Sequence, residues 1–83
     1  MIRLILLTRH GCHLCDEMKA IVEQVGRTHS VVLDEIDITT DRVLEQRFGA
    51  AIPVLMHGDR VIARSRTTQR ELLELLRKNR LLK

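Results

Sequence analysis

Cys12 and Cys15, the only cysteines of this 83-residue chain, stand three positions apart with His13 and Leu14 between them. Arg9 and His10 come just before. A thiolate is both a nucleophile and a metal ligand, whereas a neutral thiol is a poor version of either. Two sulfurs this close can cycle between dithiol and disulfide, share a metal ion, or lie inert in a core. Position along the chain distinguishes these. Thr8, Arg9, His10 and Gly11 end the apolar run Ile2 to Leu7, and from Cys12 onward the apolar period becomes helical. Leu14, Met18, Ile21, Val22 and Val25 follow steps of three and four, with Asp16, Glu17, Lys19 and Glu23 opposite. Cys12 therefore falls at a helix entrance, where unpaired amide N–H groups converge and favour the charged sulfur.

Cys15 lies nearly one turn further on, beside Cys12 and between apolar Leu14 and Met18. The expected division of labour follows. Cys12 attacks a disulfide and Cys15 resolves the resulting mixed disulfide. Arg9, His10 and His13 add positive or potentially positive charge that can stabilise a thiolate or draw an anionic substrate. Asp16 and Glu17 oppose that field.

The elements that must hold this pair can be read in order. Ile2 to Leu7 suits a central strand buried on both faces. The helix from Cys12 is expected to stop at Gly26. Val31 to Ile38 reads as a second strand, rich in β-branched residues. Thr39 or Thr40 is expected to cap a short helix carrying Val43, Leu44 and Phe48 inward and ending at Gly49. After Pro53, Val54 to Met56 and Val61 to Ala63 form two short strands around the hairpin signal Gly58-Asp59. Thr68-Gln69-Arg70-Glu71 has capping-box spacing and opens a last helix with Leu72, Leu73, Leu75 and Leu76 on one side. No linker or repeat divides the chain, so residues 1–83 are expected to form one domain.

The order β-α-β-α-β-β-α predicts an α/β fold. Its first two strands are parallel, and a hairpin completes a mixed four-stranded sheet flanked by helices.

Against this frame the turn Thr8-Arg9-His10-Gly11-Cys12-His13-Leu14-Cys15 resembles the active-site turn of glutaredoxin-like proteins of the thioredoxin superfamily. Asp37 between Ile36 and Ile38 is similar to the end of that family's second strand. Ala51-Ile52-Pro53-Val54 is similar to its loop before the third strand, in which the proline is cis. The resemblance spans nearly the full chain. It implies a thioredoxin-like (glutaredoxin) fold and a thiol–disulfide oxidoreductase with Cys12 and Cys15 as the catalytic pair. Arg9, His13, Ile52 and Pro53 would then contact substrate, with the Ile52 backbone pairing with an extended chain as a short added strand. No bound cofactor is implied. The partners would be disulfide-containing proteins, with glutathione as a reducing co-substrate or a thioredoxin-reductase-type protein in its place. Several features depart from the family pattern. Ala63-Arg64-Ser65-Arg66-Thr67-Thr68 has neither the Gly-Gly pair nor the Asp usual in glutathione-using members. His-Leu stands where Pro-Tyr is common, and the Trp that precedes a thioredoxin motif is absent.

Two other classes compete. His10, Cys12, His13 and Cys15 offer four zinc-type ligands, yet structural zinc sites usually draw on two separated segments and no second motif exists here. A thioredoxin-fold interaction or redox-sensing module with an idle dithiol is the other, and the helix-start position of Cys12 argues against it.

Composition narrows the rest. Phe48 is the only aromatic residue and the net charge is +3, which disfavours nucleic-acid binding by base stacking. Ile2 to Leu7 is far shorter than the ~20 apolar residues of a membrane span. A soluble cytoplasmic protein is the default expectation, and in that compartment two cysteines are more often redox-active or metal-binding than structural; a monomer is the default as well.

Overall fold

The structure, a computed structural model, describes residues 1–83. Its elements run β1 (Ile2–Thr8), α1 (His13–Gly26), β2 (Val31–Asp37), a 3₁₀ turn (Ile38–Thr40), α2 (Arg42–Phe48), β3 (Val54–His57), β4 (Arg60–Arg64) and α3 (Gln69–Lys78). The sheet order is β2-β1-β3-β4, with β1 parallel to β2 and antiparallel to β3, and β3 antiparallel to β4. This is the mixed four-stranded α/β arrangement that the order of elements predicted, in the thioredoxin-like form that the family resemblance implied.

β1 is an inner strand, and both of its faces are covered. Ile2, Leu4 and Leu6 pack with Met18, Val22 and Val25 of α1 and Leu72 and Leu76 of α3 in a cluster of 11 buried residues. Leu7 faces the other way, with Ile38, Phe48 and Val54, in a cluster of four. The alternation of a strand produces this split, since successive side chains leave opposite faces. Each fully buried Leu or Val contributes roughly 1.5–3 kcal/mol by leaving water, so the larger cluster carries most of the apolar stabilisation.

Helix ends follow local chemistry, with some departures from expectation. Thr68 caps α3, its hydroxyl accepting from Glu71 N–H at 3.1 Å and donating to the Glu71 carboxylate at 3.1 Å. α2 is capped by Asp41 rather than Thr39 or Thr40, because the Asp41 carboxylate accepts from both Val43 N–H (2.9 Å) and Leu44 N–H (3.2 Å). The two threonines instead sit in the 3₁₀ turn that Asp37 caps. Val43 is 67% exposed while Phe48 points in, since residues five apart lie about 140° from one another around a helix. β2 ends at Asp37, so Ile38 is buried from the 3₁₀ turn and not from a strand. Gly26 is the last residue of α1 and does not stop it by a left-handed turn, since Arg27 continues in right-handed conformation. Gly58, with φ 57°, supplies the left-handed residue of the β3–β4 hairpin.

Candidate active site

The C-terminal end of β1 delivers the chain into the turn that holds the two cysteines. Gly11, at φ 77°, reverses the backbone in a conformation costly for any side chain. Cys12 N–H donates to the Arg9 carbonyl at 3.3 Å, which tightens the turn. Cys12 is the N-cap of α1, with extended backbone at φ −90° and ψ 109°. Its Sγ accepts from Cys15 N–H at 3.2 Å, and its carbonyl accepts from Asp16 N–H at 3.2 Å. A cap normally presents an oxygen to the third helical amide. Here the acceptor is sulfur, so a free helix donor and the dipole's positive end act on the Cys12 sulfur.

Cys15 is 2% exposed and belongs to the buried face of α1, whereas Cys12 is half-buried. The two sulfurs stand at disulfide contact with Cα atoms 5.2 Å apart, a separation the backbone accommodates without distortion. Cys12 therefore lies nearer the surface than Cys15.

Two of the charged neighbours have carboxylates of the chain within ion-pair distance. Arg9 reaches α2, where Nη2 lies 3.9 Å from the Glu45 carboxylate. His13, 86% exposed, pairs with Glu17 one turn along α1 at 3.2 Å. Each of these cationic or potentially cationic side chains has a carboxylate of the chain beside it. Gly49, which ends α2, makes room for the first pair: a Cβ there would stand 2.5 Å from the Glu45 carbonyl oxygen and 3.4 Å from Arg9 Nη2. No group of three or more His, Cys, Asp or Glu side chains gathers in a metal-holding geometry, so the fold does not assemble His10, Cys12, His13 and Cys15 as a set.

Pro53 enters the same end of the sheet by strand register. Leu7, one residue before the end of β1, pairs with Val54, and Val54 pairs in turn with Arg64. The Ile52–Pro53 peptide is cis. Pro53 is fully buried, Ile52 half-buried, and the Pro53 carbonyl accepts from Ser65 N–H at 2.9 Å. Ser65 holds a left-handed φ of 58°, unusual for a residue with a Cβ.

Asp37 is the site-end residue that sequence reading placed in a motif without a role. Opposite Thr8 in the β1–β2 register, it accepts from Thr39 Oγ1 at 2.7 Å and Thr39 N–H at 2.9 Å through one carboxylate oxygen. Those two bonds hold its carboxyl below the ordinary Asp range, helped by the charges of His10 and Arg9 and opposed by slight desolvation. The signal available in the sequence was Asp-x-Thr, the spacing of a side chain bonding the amide two residues on.

With this geometry in place, comparison with known proteins becomes specific. The family described as Glutaredoxin-like domain (DUF836) matches residues 3–77. The chain belongs to this family. Among solved structures, this glutaredoxin-like chain is similar to the structural-genomics target protein XcR50 from X. campestris, with 28% identity and a TM-score of 0.76 over 90% of this chain and 96% of that one. A malarial protein gives 16% identity and a TM-score of 0.65 over 92% and 93% of the two chains. The germline-specific thioredoxin Deadhead of Drosophila melanogaster gives 21% identity and a TM-score of 0.55 over 96% and 80%, a likeness of fold. No curated protein matches the sequence. The glutaredoxin-like assignment and the contact between Cys12 and Cys15 together support a thiol–disulfide redox role. No helix is long and apolar enough to cross a membrane.

Proposed function

We propose that this protein is a dithiol–disulfide oxidoreductase that reduces protein or glutathione mixed disulfides in the cytoplasm. One observation carries the reading. A half-exposed sulfur caps a helix and accepts one of its amides, with a buried second sulfur in contact behind it.

The chemistry balances as two displacements. The Cys12 thiolate attacks one sulfur of the substrate disulfide, forming a mixed disulfide and releasing a thiolate that takes up a proton. Cys15 gives up its proton and attacks the Cys12 sulfur, releasing the second substrate thiolate, which is protonated in turn. The substrate gains two electrons and two protons, and the protein is left with the Cys12–Cys15 disulfide. A second thiol donor, glutathione or a thioredoxin-reductase-type partner, reverses that change. The cap favours the first step because the amide and the dipole stabilise the attacking sulfur as an anion. Burial of Cys15 favours order in the second, since an exposed resolving thiol would compete for substrate.

Pro53 and the Ile52 backbone lie at the mouth of the same sheet end. They would take the substrate's cysteinyl segment as a short extended strand, whose main-chain bonds are indifferent to side-chain identity. No bound cofactor is needed.

The test is reduction of hydroxyethyl disulfide with dithiothreitol as recycling reductant, followed by iodoacetamide alkylation of the reduced protein across pH. Turnover by wild type, background turnover by Cys12→Ser and trapped mixed disulfides with Cys15→Ser are expected. Alkylation of Cys12 at neutral pH no faster than that of a free cysteine, or turnover retained by Cys12→Ser, would refute the role assignment.

A further inference from the structure

The oxidoreductase reading leaves open which disulfides the site prefers, and the ion pairs around the dithiol bear on that choice. Arg9 is the permanent cation of the cysteine turn, and its guanidinium lies 3.9 Å from the Glu45 carboxylate in a partly exposed pair. Gly49 closes α2 with its N–H donating to the Glu45 carbonyl at 2.8 Å; a Cβ there would press on that carbonyl and reach Arg9 Nη2 only at contact distance, 3.4 Å. His13 repeats the arrangement with Glu17. With histidines neutral, residues 9–17 together with Asp37 and Glu45 carry one positive charge, Arg9, against four negative ones, Asp16, Glu17, Asp37 and Glu45. A substrate carboxylate approaching Arg9 must displace Glu45 and enter this negative surround.

We infer that Glu45 is a specificity-determining residue: by occupying Arg9 it turns the dithiol away from carboxylate-flanked disulfides and toward disulfides with neutral or basic flanks. The inference rests on the oxidoreductase reading and names the substrate class of that site. Glu45 acts through Arg9, so its effect is on preference and not on the sulfur chemistry. Arg64, the last residue of β4, and Arg66, just beyond it, lie in none of the ion pairs of the structure, and their charge is the same in every variant below.

An exposed pair of this length has a small effect, so the expected change is about two- to five-fold. The experiment measures kcat/KM for glutathione disulfide, hydroxyethyl disulfide and cystamine, with dithiothreitol as reductant. These substrates are anionic, neutral and cationic. Wild type is expected to favour cystamine over glutathione disulfide. Glu45→Gln should raise the ratio of glutathione disulfide to hydroxyethyl disulfide by about two- to five-fold at low salt, mainly through KM, and the gain should fade as salt screens the freed Arg9. Glu45→Asp, which keeps the charge, should stay near the wild-type ratio. A ratio unmoved in Glu45→Gln, or one raised equally in Glu45→Asp, overturns the inference while leaving the oxidoreductase reading intact. Failure of wild type to reduce any of the three overturns the oxidoreductase reading itself.

Discussion

The two halves of the candidate site are built in opposite ways. The cysteine half is local: Gly11 turns the chain, Cys12 caps α1, and the bond from Cys15 N–H to Cys12 Sγ spans three residues. The proline half is assembled from afar. Pro53 is buried, its carbonyl is tied to Ser65 N–H, and the adjacent Val54 is held between Leu7 of β1 and Arg64 of β4. The proposed reactivity therefore rests on one turn, while the proposed substrate placement depends on the whole sheet. A redox pair can keep its local activation under changes in the core that spoil its docking edge.

The strongest way to break that contrast is Val54→Ala. Val54 is fully buried in the four-residue cluster, and removing its two methyl groups should cost about 1–3 kcal/mol. Chemical denaturation should show that loss. If the contrast holds, disulfide turnover falls while Cys12 alkylation stays near the wild-type rate. Equal falls in both would mean that the cysteine turn is not autonomous.

Asp37→Asn probes the seam between β2 and the cysteine turn. Because Thr39, and then His10 and Arg9, hold the folded carboxyl below its ordinary value, the folded state binds fewer protons than the unfolded chain near that value. The resulting stability is present above an unfolded pKa of about 3.9 and is lost as pH falls through the lower folded one. Thermal unfolding followed from pH 6 downward should show an acid limb in wild type that is shallower in Asp37→Asn. An identical limb would remove Asp37 from this account.

Ser65→Gly addresses the proline half more gently. Left-handed backbone costs a side-chain-bearing residue roughly 1–2 kcal/mol, and glycine's greater chain entropy returns about half of that. The variant should gain about 0.5 kcal/mol, readable as a higher unfolding midpoint. The smallest effect belongs to His13→Gln. An imidazole 86% exposed and paired with Glu17 should change the Cys12 alkylation rate by less than about two-fold. A larger change would show that His13 acts on the sulfur and not on solvent.

Much of the molecule was legible from residue order alone. Hydrophobic period separated strands from helices, Thr68 and Glu71 announced α3, and the spacing of Cys12 and Cys15 at a change of period identified the reactive turn. These features depend on neighbours within one helical turn or one strand, and the sequence holds those neighbours. The start of α2 was missed because Asp41 competes with Thr39 and Thr40 for the same amides, and Val43 faces solvent because it lies about 140° around the helix from Phe48. Only the tertiary structure decided which acid faces Arg9. Arg9 and Glu45 lie 36 positions apart and meet as α2 packs Phe48 beside Leu7, near the end of β1. Sequence lists the charges, but the pairing of Arg9 with Glu45 is a property of packed elements, which bring together residues that no local spacing connects.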